Sequence, residues 1–333
     1  MEPRRGFWRE QGQSLVVVAL MLVVLVGFLG LVLDGGNFWS QRRFLQNGAD
    51  AGALAGARVY ATTKDASQAT AAARNYAASA NGLGDPLKAS DQVTVEVSIQ
   101  GAGIDQTVAV TVTKVFRTYF LGALGIPSFV MRASAVAGLS PAEAIGGLLP
   151  LAVKKSAVDA IRAKFSDPTA DKKVYIYDDD KDVSDYAINK IADGERGWIN
   201  FDKGDVSTSE LKYWIDLGGY PGVVDVGDTG VWINGSPGSN NSALGECEWL
   251  IGKKVFVPVY DTVRDAKDRP LSDADLGSGS MDYHFVGFAA LTVVYIKDTG
   301  TPKILVGTLE DEVHAGKPGG KYDLGVYVVG LRR

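Results

Sequence analysis

The residues able to do chemistry are few and far apart. Histidine occurs twice in 333 residues, at His284 in an expected strand and at His314 in an expected loop. Neither stands in HExxH or another ligand spacing, so each reads as a structural residue rather than a zinc ligand. The single cysteine, Cys247, rules out an intramolecular disulfide, a Cys-x-x-Cys redox pair and a zinc site of several thiolates, and it reads as a small, partly buried hydrophobe. Asp178, Asp179, Asp180 and Asp182 offer hard oxygen ligands of the kind calcium takes. An EF-hand loop starting there would need Gly where Val183 stands and Glu where Asn189 stands, so the motif fails and a solvated acidic turn is expected. A hydrolase would need an acid and a base, for which Asp225 with Asp228 is the nearest pair. The serines of Gly277 to Ser280 (GSGS) lack the GxSxG spacing of a nucleophile elbow, and no GxxxxGK[ST] phosphate loop occurs. The expectation is a chain with no catalytic residue, no metal site and no cofactor.

What must be positioned, then, is a binding or structural surface. A net charge of -5 and a pI near 5.2 give no clustered Lys and Arg to neutralise phosphates, so nucleic acid is not an expected partner. With 46% hydrophobic residues the chain has material for real cores, and its length suits about two folded units plus an anchor. From Leu15 to Leu33 (LVVVALMLVVLVGFLGLVL) every residue is apolar or Gly. As a helix this run is about 28 Å long, close to the thickness of a bilayer's hydrocarbon core. It is too long for the apolar region of a cleavable signal, and DGGNFWSQRRF after it makes a poor cleavage site. Arg4, Arg5 and Arg9 before the run against Arg42 and Arg43 after it favour an N-terminus inside, and Trp8 and Trp39 flank the span at headgroup level.

Past Asp34 the sequence keeps a helical rhythm without proline, and Gly35 with Gly36 is the place where a bend is expected. Gly48, Gly52 and Gly56, four apart and alternating with Ala49, Ala53 and Ala57, share one helix face. A face without side chains lets another backbone approach closely, and this helix-packing role is the one site expected. Three helix glycines are locally unfavourable by about 3 kcal/mol in sum, which close packing should offset. A second helix is expected over Lys64 to Ala80, capped by Asp65 or Ser67 and ended by NGLGDP. Gln92–Ile99 and Gln106–Phe116 alternate branched apolar and polar residues around GAGID, as in an antiparallel hairpin, with a short helix at Tyr119–Leu124 and a third strand at Ser128–Leu139.

Together GQSLVVVALMLVVLVGFLGLVLDGG, RRFLQNGADAGALAGA and the stretch ending in RASAVAG resemble the TadE/TadG-like proteins of tight-adherence (Flp-type) pilus assembly systems, over residues 12 to about 140. The resemblance implies an N-terminal membrane helix, a polar position, an LQNAADAAALAGA-like helix and a small sheet. Leu45, Gln46, Asn47, Asp50 and Ala51 match, with Gly48 and Gly52 where Ala is commoner. Pseudopilin relatives read GQSLVEFAL, whereas this chain has Val17 in place of the Glu and Val18 in place of the aromatic. That places it nearer the TadG-like branch.

After Ser140-Pro141 the composition turns from Ala-rich to Gly, Asp, Trp and Tyr. Strands are expected at Lys173–Tyr177, Val255–Tyr260, Tyr283–Ile296, Lys303–Leu309 and Leu324–Leu331, with helices at Lys154–Lys164 and Ser209–Asp216. The expected organisation is α+β: a cytoplasmic tail (1–12), a transmembrane helix (13–34), a membrane-proximal α+β domain (35–139) and a β-rich, sandwich- or barrel-like extracytoplasmic domain (140–333). Expected partners are the membrane, other envelope or pilus-assembly proteins and, optionally, further copies in a homo-oligomer. Trp198, Trp214, Trp232 and Trp249 are the aromatics that could contribute to a recognition surface. The alternative functions are a module binding glycan or calcium and a membrane-tethered hydrolase. Because Val17 replaces the pseudopilin Glu, the Gly12-Gln13 bond should stay uncut by a prepilin peptidase, and mass spectrometry of the purified protein should find no N-terminus at Gln13.

Overall fold

Nothing between Gln11 and Thr63 breaks a helix, and in the computed structural model these residues form one helix of 53 residues, α1. At 1.5 Å per residue it is about 80 Å long. The structure describes residues 11–86, 89–101, 105–165, 167, 169–178, 197–202, 207–236, 240–271, 281–300 and 303–332. The bend expected at Gly35 and Gly36 is replaced by continuous helix. A side chain at either position would meet nothing within 4 Å, so the two glycines fit no neighbour, and the intact helix on both sides carries their propensity cost. Ser14 through Leu29 are exposed without exception, so nothing in the described chain covers this apolar stretch. The helix is long and apolar enough to cross a membrane.

The second helix is shorter than expected. α2 (Ala66–Arg74) gives way to one π-helical turn at Asn75–Ser79, and Asp65 caps it by accepting from the backbone N–H of Ser67 (2.7 Å) and Gln68 (3.2 Å). These bonds hold the Asp65 carboxyl below the usual range, with the Gln68 side chain contributing most. Strands β1 (Val93–Gln100) and β2 (Thr107–Arg117) form the antiparallel hairpin, and their alternating burial turns one face toward the helices. A 3-10 turn at Leu121–Leu124 leads into β3 (Ser128–Leu148).

β3 is 21 residues long and runs straight through the 139/140 position where a change of domain is expected. Its first half alternates exposed and buried residues beside β2; from Ala137 onward nearly every residue is buried, as in a strand covered on both faces. Pro141 is tolerated because it stands where partners change. Strand β14 pairs with β3 up to Pro141, whereas β7 takes over from Ala144.

After β3 come β4 (Val153–Lys154), α3 (Lys155–Arg162), β5 (Lys173–Asp178), β6 (Trp198–Ile199), α4 (Thr208–Asp216), β7 (Tyr220–Asp225), β8 (Val231–Ser236), α5 (Asn241–Glu246), β9 (Lys254–Asp265), β10 (Met281–Lys297), β11 (Ile304–Glu310), β12 (Glu312–Val313), β13 (Lys317–Pro318) and β14 (Val326–Arg332). The main path of pairing is β1-β2-β3-β9-β10-β11-β5, with β14 on β3 and β8 on β10. The fold is α+β, with a long apolar helix first and a large β-rich region after it.

Successive strand residues face opposite ways. β14 uses this to join two cores: Tyr327 belongs to the helix-side cluster that also holds Ala61 and Leu139, while Val326 and Val328 belong to the one that holds Ile145, Phe285 and Phe288. A third cluster around Trp214, Val257 and Leu291 lies under α3, α4 and α5. Trp198 and Trp214 belong to these cores and offer no surface, unlike the more exposed Trp232 and Trp249. Since β3 and β14 serve both halves, calorimetry in detergent should show one unfolding transition for everything beyond the span. Two well-separated transitions would mean that the halves fold independently.

Candidate functional site

Helix α1 meets the rest of the protein through two thin faces set one residue apart. Leu45, Ala49, Ala53, Ala57 and Ala61 are fully buried against Val108, Val110, Ala135 and Ala137 of the sheet. Gly48, Gly52 and Gly56 face α2 and the turn after it. A Cβ on Gly48 would lie 2.5 Å from the Ala77 carbonyl oxygen. On Gly52 it would lie 2.6 Å from the Ala77 Cβ and 2.8 Å from the Ala73 carbonyl oxygen, and on Gly56 it would lie 2.9 Å from the Ala73 Cβ. All three positions oppose backbone carbonyls, that of Ala69 at 3.3 Å in the case of Gly56, and these cannot give way as a flexible side chain can. Gln46 adds a polar clip, its amide donating to Asp50 (2.8 Å) and to the Ser134 carbonyl of β3 (3.2 Å).

Both ends of the part of α1 beyond the apolar run are tied by charge. At the lower end, the buried Asp34 accepts three backbone N–H bonds, from Tyr119 (2.9 Å), Phe120 (3.0 Å) and Leu121 (2.7 Å). Sequence gives no local sign of this contact, because the partners lie some 85 residues away. At the upper end, Lys64 follows α1 with a positive φ of 54°. Its ammonium donates to the Tyr327 hydroxyl (3.0 Å) and pairs with Asp311 (3.4 Å). Arg162 of α3 pairs with Asp311 (2.8 Å) and Asp323 (2.7 Å), and Tyr327 donates to Asp323 (2.6 Å). Burial works to lower the Arg162 pKa, but Tyr327 and the two carboxylates outweigh it and hold the group above its ordinary value. Burial, with the same carboxylates, pushes the Tyr327 hydroxyl up against the opposing pull of Arg162, so it remains a donor.

This cluster borders a cleft of about 1080 Å³ between the end of α1 and the β-rich region, to which Arg58, Lys172, Lys254 and Glu310 also contribute. Several of its charges face one another. Lys254 reaches Glu310 (3.1 Å) and Glu312, and the hydrogen bond with Glu312 is the main reason its pKa is raised.

The residues considered for chemistry lie elsewhere. His284 of β10 faces Asp261 through Nδ1 (2.7 Å) and the Thr229 carbonyl through Nε2 (2.8 Å), beside a cavity of about 290 Å³ that Asp228 also lines. Each ring nitrogen thus has an acceptor of the chain's own against it. Asp225 accepts from the Gly227 N–H (2.9 Å) and meets Lys317 (3.3 Å), which also binds Glu143. His314 packs edge-on to Phe256, with ring centroids 4.4 Å apart. Cys247 is buried and its thiol is pushed up to about 12, chiefly by burial. Asp179, Asp180 and Asp182 and the Gly277–Ser280 segment lie outside the described residues, and Asp178 ends β5. Among the described residues no group of three His, Cys, Asp or Glu is placed to hold a metal ion.

Residues 12–80, which take in nearly all of α1, α2 and the π-helical turn after it, match the Tad family model, described as putative Flp pilus-assembly TadE/G-like. No curated protein and no solved structure matches the chain. The matched segment holds both thin faces and the Gln46 clip, so its small residues have a direct packing role. Substituting Leu at Gly52 should lower stability by about 1–3 kcal/mol, whereas Gly36→Ala, in open space, should be neutral or slightly stabilising. Denaturant melts of both variants in detergent would check this; an unchanged Gly52→Leu melt would mean that α2 is not held where the structure places it.

Proposed function

We propose that this chain is a membrane-anchored structural or accessory component of a Tad (Flp-type) pilus assembly or adhesion apparatus, and not an enzyme. The observation that carries the reading is the TadE/G-like match over residues 12–80, the same residues that form the apolar helix and its packing faces. In this reading the N-terminus is cytoplasmic, α1 crosses the membrane once, and residues 35–333 lie outside the cytoplasm, where they meet other envelope or pilus-assembly proteins. The bias of Arg4, Arg5 and Arg9 over Arg42 and Arg43 supports that orientation. Because α1 continues unbroken from the apolar run into a packed core, a load on the outer part would reach the membrane without a flexible joint. A non-catalytic role is supported by the pairing of His284, Asp225 and the cleft charges with internal partners.

Deleting the protein should impair pilus assembly or surface adhesion, and a C-terminal phosphatase fusion should be active in intact cells. Single substitutions to Ala at Asp225, Asp228, His284 and His314, in variants still made and inserted, should each leave adhesion near the wild-type level, because a binding surface spreads its energy over several contacts. One stable variant as defective as the deletion would instead indicate chemistry at that residue.

A further inference from the structure

The segment between Arg117 and Arg132 (TYFLGALGIPSFVM) contains no Asp, Glu, Lys, Arg or His, and the structure hangs it on the last turn of the apolar run of α1. Two contacts fix its level. Phe120 lies over Gly30, where an added Cβ would stand 2.7 Å from the Phe120 Cβ and 2.8 Å from its Cγ. One turn further along, Asp34 accepts the N–H groups of Tyr119, Phe120 and Leu121. Gly30 precedes Leu33, the last apolar residue of the run, by about 4.5 Å along the helix. If α1 is embedded up to Leu33, the loop is at the membrane surface or below it.

The loop's chemistry suits that position. Tyr119 (74%), Leu124 (78%), Ile126 (51%) and Val130 (68%) are exposed, with no part of the described chain covering them. The backbone meanwhile supplies many of its own hydrogen bonds. Thr118 N–H donates to the Pro127 carbonyl, Ala123 to Phe120, Gly125 to Gly122 and Ile126 to Leu121, at 2.9–3.2 Å, and the Thr118 hydroxyl donates to the Ile126 carbonyl (2.5 Å). A segment with its backbone groups paired can enter a low-dielectric layer at low cost, whereas an open loop cannot. Arg117 and Arg132 flank it, and Trp39 stands exposed just beyond Asp34 on α1, where the headgroups would lie.

We infer that the loop from Thr118 to Pro127 is a second membrane contact, its Tyr119, Leu124 and Ile126 side chains inserted into the interfacial layer of the leaflet from which α1 emerges, with Asp34 as the hook that holds it there. The occupant is phospholipid, because the apolar face is continuous with the lipid-facing surface of α1 at Gly30. With two points of contact the membrane would fix the tilt and rotation of the outer domain as well as its distance. This inference rests on the reading of α1 as a membrane span.

The test uses the full chain in phospholipid vesicles with an environment-sensitive fluorophore on an introduced cysteine. Cys247 is buried, and the parent chain carried through labelling provides the blank. Leu124→Cys probes the loop, Leu22→Cys the span and Leu217→Cys, on the exposed residue after α4, the distal surface. With nitroxide-bearing lipids the loop probe should be blue-shifted and quenched to at least half the extent of the span probe, most strongly by a nitroxide near the headgroup, while the distal probe stays unquenched. A loop probe that behaves like the distal one beside a quenched span probe would overturn the inference and leave this face to a protein partner. An unquenched span probe would overturn the anchor itself. Asp34→Ala should at least halve quenching at the loop probe and leave the span probe unchanged; undiminished loop quenching would remove Asp34 from its role as the hook.

Discussion

A helix can be held between a sheet on one side and a second helix on the other only if both of its contact faces are thin. In α1 the alanines at 49, 53, 57 and 61 meet the sheet and the glycines at 48, 52 and 56 meet α2. Neither face is strongly apolar, so little of the attraction comes from large side chains. It comes from close approach, in which many weak dispersion contacts replace a few bulky ones. Such contacts tolerate little added volume, which explains the near-absence of large residues along one flank of α1 for four turns. The few polar residues in the same stretch have local roles, as when Gln46 reaches across to β3.

Beyond α1 the chain is organised around two strands that belong to both halves. β3 begins as the strand beside β2 at the edge of the sheet under the helices, gains β14 on its other side from Val136 onward and ends buried within the β-rich region. β14 returns to its side and divides its residues between two cores. The ion cluster of Lys64, Arg162, Asp311, Asp323 and Tyr327 sits where these elements meet the end of α1. Partly buried charges of this kind add little net stability over an apolar replacement, but losing one partner leaves another uncompensated. They join the end of α1 to α3 and β14.

Much of this is legible in the sequence, for identifiable reasons. The span, the hairpin and the strands around 255–260, 283–296 and 304–309 follow from apolar runs and period-two alternation. β7 and β8 carry no such signal, since Pro221 and Gly222 in the first and Gly235 in the second have the marks of turns; both strands are held by tertiary pairing, with β3 and β10 respectively. Pro141 suggests an end to β3, although the strand merely changes partners there. Trp198 and Trp214 look available for recognition in the sequence but fill cores in the fold. Asp34 reads there only as the residue closing the span. Its three acceptor bonds depend on a loop far along the chain, which no local pattern predicts.

The placement of β14 also sets an order of assembly. The helix that founds the first layer is made early, yet the layer's sheet is completed by a strand that comes after every other described strand, and Tyr327 of that strand sits in the helix-side core. The loop to be closed between β3 and β14 encloses almost the whole β-rich region, so the two layers cannot mature in the sequence in which they are synthesised. During biosynthesis the free edge of β3 would stand open, with its N–H and C=O groups unpaired, until β14 arrives. A chain interrupted before β14 would therefore keep the helical layer but expose a sticky strand edge, which quality-control proteases could recognise.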